Sequence, residues 1–149
     1  METMSFGNLR DWDQVLKKLE HLIKVGQLEK WQHELIRLLR FDQNWRLREE
    51  AIVSLVFIKS PSLDLAKEVF SIVKRKDLYY DVRILAVDGL SKLMVRIVDN
   101  QELDRDEINL FFHNTINGLE EYLEAPEPPI FHDALNTSLS QLRQVEKAA

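Results

Sequence analysis

The sequence predicts an all-α fold: a right-handed α/α superhelix of about seven antiparallel helices, forming one domain over residues 1–149. Three observations carry that expectation. The middle of the chain repeats itself after 35 residues in register, with Asp42, Leu47, Arg48, Ala51 and Leu55 recurring as Asp77, Val82, Arg83, Ala86 and Leu90. A fixed period of that length is what stacked helical hairpins leave in a sequence. Apolar residues recur three and four apart along most of the chain, as a buried helix face requires. Finally, the chain has only 4 Gly and 4 Pro, too few for the turns of an all-β domain.

In the first helix, Trp12, Val15, Leu16, Leu19, Leu22 and Ile23 share one face, Asp11 with Gln14 forms an N-cap pairing, and Gly26 stops the helix. The second carries Leu28, Trp31, Leu35, Leu38 and Leu39 and ends near Phe41-Asp42; the third runs from about 45 to 58. Pro61 opens the fourth, which reaches about 76 and buries Leu65, Val69, Ile72 and Val73. The fifth, about 80–98, is apolar around much of its circumference, as a helix at the centre of a stack is. After a polar connection over 99–106, Asp104 with Glu107 caps a sixth helix of about 105–124, in which Gly118 marks a close crossing. Pro126, Pro128 and Pro129 end that helix, and Ile130 begins the seventh, reaching about 145. Trp12, Trp31, Phe41, Phe70, Phe111 and Phe112 fall at helical spacing among aliphatic residues and are assigned to the core.

At 149 residues the chain is long enough for one domain with a real core. With 45% apolar and 30% charged residues it is too apolar for disorder. The absence of cysteine excludes disulfides, thiolate nucleophiles and cysteine-held metals. The first ten residues hold no signal-like run, and nowhere do 18 uncharged apolar residues occur together. The expectation is a cytoplasmic protein with no membrane partner. Net charge is −5 but unevenly spread: residues 17–98 hold 16 Lys/Arg against 11 Asp/Glu, whereas 99–133 hold one base, Arg105, against 10 acids. That split describes either a solvated helical surface or a dipolar binding face.

The two copies, Asp42…Leu47-Arg48-Glu49-Glu50-Ala51…Leu55 and Asp77…Val82-Arg83-Ile84-Leu85-Ala86…Leu90, resemble HEAT repeats. In that family an aspartate closes the turn between paired helices, a Val-Arg pair opens the second helix, and an alanine three residues later lets helices pack closely. The resemblance implies clear repeats at 28–58 and 61–98, with degenerate caps at 9–26 and 104–146. In the last cap, His132 stands in for the arginine and Leu135 for the alanine. Each arginine lies six residues after its aspartate, so Asp42–Arg48 and Asp77–Arg83 are expected as turn-bracing ion pairs.

No catalytic constellation is expected, and no cofactor or metal. One HEAT-type enzyme family, the deoxyhypusine hydroxylases, holds iron through His-Glu pairs on successive repeats. Here His33-Glu34 stands alone, and the positions 35 residues later are Glu68 and Val69. Nor does the chain carry a Gly-rich phosphate loop, a nucleophile elbow or an HExxH motif. The expected function is a small scaffold or adaptor binding another protein along the inner-helix face, through Trp45, Glu49, Tyr80, Asp88, Lys92 and Arg96. Self-association is a further expectation, because two regular repeats leave both ends needing cover. The alternative is nucleic acid: HEAT-like alkylpurine DNA glycosylases hold duplex DNA on a basic face. Arg37, Arg40, Arg46, Lys74, Arg75 and Lys76 are the candidate phosphate contacts here, with Trp45, Tyr79 and Tyr80 placed to stack.

Overall fold

The computed structural model describes residues 4–148, with side chains for 4–146. Among the described residues there are seven α-helices and no strand: α1 (Trp12–Lys24), α2 (Gln32–Arg40), α3 (Trp45–Ser54), α4 (Leu63–Val73), α5 (Tyr80–Asp99), α6 (Arg105–Glu124) and α7 (Pro129–Ala148). The second and third helices are shorter than the periodicity predicts, because a 3₁₀ turn at Leu28–Trp31 leads into α2 and another at Leu55–Phe57 ends α3.

The helix ends follow local chemistry. Gly26 takes φ +70, donates to the Ile23 carbonyl at 3.2 Å and lets Gln27 reach Leu22 O at 2.9 Å, closing α1 as its position predicts. Asp104 caps α6 by accepting from the amides of Asp106 (2.9 Å) and Glu107 (3.3 Å). Asn44 does the same for α3, taking the Arg46 amide at 2.9 Å. Two expected caps do not form. Asp11 precedes α1 at ψ 54, short of extended backbone, and its side chain bonds no amide. Helix α4 begins two residues later than Pro61, because Ser62 sits at ψ 157 and its hydroxyl takes the Leu65 amide at 3.1 Å.

Three hairpins, α2/α3, α4/α5 and α6/α7, are stacked in two rows. Helix α2 packs on α4 in one row, while α1, α3, α5 and α7 are successive neighbours in the other. Helix α5 is the hub, packed against α3, α4, α6 and α7. A continuous core runs from Phe6 to Leu142, with Ala51 and Ala86 fully buried. Glycine sets two of the close approaches. A Cβ on Gly89 would lie 3.1 Å from Leu55 Cδ1, so α3 and α5 touch nearly backbone to side chain. One on Gly118 would lie 2.7 Å from the Phe70 ring, as the expected close crossing requires. Ser91 hydrogen-bonds to Ser138 between α5 and α7. Trp12, assigned to the core, is 40% exposed: it is the first residue of α1, with no earlier helix to cover it.

Residues 4–11 lie along α2. Phe6 packs on Trp31 with ring centroids 5.0 Å apart, and its amide donates to Glu34 Oε1 at 2.6 Å. Arg37 bridges back to Glu34 at 2.9 Å and donates to the Gly7 carbonyl at 2.6 Å. Burial pushes the Glu34 carboxyl up, but the Phe6 amide, the Ser5 hydroxyl and Arg37 outweigh it and hold the pKa below 4.5.

Replacing Ala86 by leucine is expected to cost about 1–3 kcal/mol through overpacking, read as a lower urea midpoint. An unchanged midpoint would refute the register of the stack. Glu34 has a depressed pKa, so its contribution is complete above pH 4.5 and is lost as pH falls through the folded value. Glu34→Gln is therefore expected to lower stability by about 1–2 kcal/mol at neutral pH. That deficit should vanish well below pH 4.5, as urea midpoints at the two pH values would show.

Candidate protein-binding face

The turns between paired helices frame the face, and the two copies brace them differently. Arg48 is buried, and it donates through Nε to Leu39 O at 3.2 Å and through Nη2 to Phe41 O at 3.2 Å. It also forms the expected ion pair with Asp42. Arg83 repeats only the first part, donating through Nε to Val73 O at 2.9 Å. The expected Asp77–Arg83 pair is absent. The third hairpin closes over the start of α5, and its Phe131 (4.5 Å) and Tyr122 (5.4 Å) enclose the Arg83 guanidinium together with Tyr80 of α5 itself (5.2 Å). Its Nη2 is buried with no hydrogen-bond partner among the described residues.

Asp77 turns outward and pairs with Arg75, whose Nε donates to Oδ1 at 3.1 Å. Arg75 also reaches Asp42 at 2.9 Å, so Arg48, Asp42, Arg75 and Asp77 form one chain of charges across two turns. Hydrogen bonds from Arg75 hold both aspartates below the usual carboxylate value.

The six bases considered for nucleic acid are mostly engaged within the chain. Arg37 is held by Glu34 and Gly7, Arg40 pairs with Glu68 at 3.0 Å, and Lys74 lies 4.5 Å from the centroid of the Phe70 ring. Arg75 is occupied as described, while Arg46 and Lys76 are exposed and form no ion pair among the described residues. Trp45 and Tyr80, equivalent in the repeat, also diverge. Trp45 is 65% exposed, whereas Tyr80 is drawn onto Phe131 (5.4 Å) and donates to Glu127, which raises its phenol pKa. Tyr79 is fully in solvent.

The remaining candidates lie on the row of α3, α5 and α7. Asp88 and Lys92 form an exposed ion pair at 3.0 Å, and Glu49 is half-buried on α3. Arg96 is not a free contact: its Nη1 donates to Val56 O (2.8 Å) and Ile58 O (2.6 Å), closing the 3₁₀ turn after α3. Between α3 and α5 lies a recess lined by Ile52, Val53, Val56, Leu85, Asp88 and Lys92. A second, of about 400 Å³, lies between α5 and α7, lined in part by Ile84, Leu85, Asp88, Asp133, Ala134 and Thr137. Leu85 and Asp88 line both, so the two recesses flank α5 on either side.

Val53, Val56 and Phe57 were missed by sequence reasoning and are all exposed. The signal was present: 35 residues separate Val53 from Asp88 and Phe57 from Lys92, the same row of the repeat. Chemically, the face offers apolar contact bordered by charge. His21, His33 and His113 are exposed, and His132 Nε2 faces the carbonyls of Ala125 (3.0 Å) and Tyr122 (3.1 Å) and so carries a proton. Glu34 of the His33-Glu34 pair is turned onto residues 4–11. Among the described residues no group of three or more His, Cys, Asp or Glu is placed to hold a metal, and no helix is long and apolar enough to cross a membrane.

Arg83→Met is expected to cost about 2 kcal/mol or more, through loss of the Val73 contact and of the cation stacked between rings. Arg83→Lys should rescue little, since an ammonium lacks the planar fork; a wild-type melting temperature for either variant would contradict this.

Compared with known proteins, the chain matches no protein-family model, no curated protein and no solved structure.

Proposed function

We propose that the chain is a HEAT-like right-handed α/α superhelix acting in the cytoplasm as a small non-catalytic scaffold or adaptor. In this reading a partner protein lies along the row of α3, α5 and α7. The observation that carries it is the pair of recesses on either side of α5, with the exposed Val53 and Val56 lining one of them. Contiguous apolar surface left open on packed helices is characteristic of interaction sites. Because the helices beneath it are already ordered, docking immobilises few further groups. Nucleic acid binding through Arg37, Arg40, Arg46, Lys74, Arg75 and Lys76 draws less support, since four of these are engaged inside the chain.

The test is the double variant Val53→Lys with Asp88→Lys. Both residues are exposed, and the Asp88–Lys92 pair spans one helical turn at the surface, so folding should be unaffected. The variant should keep its melting temperature and lose about tenfold or more in affinity for a partner captured by wild type. Retained binding would place the site elsewhere. Recovery of nucleic acid, lost steeply as salt rises, would favour the basic residues instead.

A further inference from the structure

We propose that the occupant of this face is a short cationic, amphipathic segment of the partner. Its apolar side chains would meet Val53, Val56 and Leu85, and its lysines or arginines would meet Glu49 and Asp133. The proposal rests on the reading of the face as a protein-binding surface and adds the chemistry of what binds there.

The charge of the face decides the sign of its partner. Lys92 pairs with Asp88, while Arg96 spends its hydrogen bonds on the carbonyls of Val56 and Ile58 but keeps its charge, as does the exposed Arg46 at the start of α3. Glu49, Asp81 and Asp133 form no ion pair among the described residues, and Asp81 and Asp133 are exposed. Three unpaired carboxylates outnumber those two guanidinium groups, so the balance of the face is negative.

Its placement is ordered as well. Contacts advance together on facing helices: Gly89 lies beside Ile52 and Leu55 while Arg96 reaches Val56 and Ile58, and residues 84–91 face 133–141 while 91–96 face 141–145, so α3, α5 and α7 run in the same sense. Glu49, Asp81 and Asp133 each stand within the first five residues of their helix and so line one edge of the row. Beside that edge lie Val53, Ile84, Leu85 and Ala134. Apolar floor with an acidic margin matches a helix carrying apolar anchors on one side and bases along its flank. Phosphate-rich partners are repelled by the same carboxylates.

The experiment uses the full chain and labelled synthetic peptides of about fourteen residues, four helical turns. One carries Leu at helical spacing with Lys between, one has Glu in place of Lys, and one has Ser in place of Leu. Fluorescence anisotropy is read at about 0.15 M salt, where exposed charges beyond roughly 8 Å are screened. The Leu/Lys peptide should bind, and both others should bind at least about tenfold more weakly. Glu49→Lys with Asp133→Lys should weaken the Leu/Lys peptide by about tenfold with an unchanged melting temperature. Glu121→Lys with Glu124→Lys, both exposed on α6 and outside both recesses, makes the same change in net charge and should not weaken it.

Equal loss with the Glu121→Lys, Glu124→Lys pair would mean that binding follows net charge, and would overturn the proposal. So would failure of the Leu/Lys peptide to bind. If the Leu/Glu peptide binds equally well and Val53→Asp abolishes both, the cationic inference fails while the face stands. If Val53→Asp alters neither, the face itself is wrong.

Discussion

Helix α5 has to be buried against four neighbours at once, and most of the architecture answers that requirement. Its residues Ala86, Leu90 and Leu93 are fully enclosed, and Gly89 gives up a side chain so that Leu55 and Ile52 of the preceding hairpin can come close. Interiors packed to crystal-like density leave no slack for a larger atom at such points. A helix so enclosed leaves only a narrow strip to solvent, and Asp88 and Lys92 occupy it. The candidate face is thus the one side of α5 that packing did not consume.

The two equivalent arginines show how one sequence pattern meets two environments. Both cap the helix before them, Arg48 on Leu39 O and Arg83 on Val73 O, satisfying carbonyls that a helix end leaves open. Arg48 completes its shell with a carboxylate at the rim of the protein. Arg83 has a third hairpin above it, and rings replace the carboxylate. Burying a charge is costly unless it is compensated. Here the compensation is one backbone carbonyl and the faces of three aromatic rings.

What the sequence revealed depended on whether the cause was local or repeated. The 35-residue register located α2 to α5, the buried alanines and the Asp42–Arg48 brace, and glycine chemistry located the end of α1. The Asp77–Arg83 pair was misread because Tyr122 and Phe131, distant in sequence, arrive from hairpin α6/α7. Trp12 was misread because periodicity reports a face and not whether anything covers it. On the face, Asp88 and Lys92 were legible from helical phase, while Arg96 was not, since its role depends on two carbonyls at the end of another helix. The exposed valines went unnoticed because apolar residues in a helix are read as core by default.

The aromatic enclosure of Arg83 also bears on how the molecule comes apart. In a stack of hairpins each unit touches only its neighbours, and an end unit is ordinarily free to fray by itself. Here Tyr122 of α6 and Phe131 of α7 lie on the same guanidinium that holds the last carbonyl of α4. Peeling hairpin α6/α7 away would forfeit two of the three ring contacts, let water onto the cation and uncover the end of the middle hairpin. Loss of the last hairpin therefore loosens the brace of the one beside it, and the two are coupled through a single side chain.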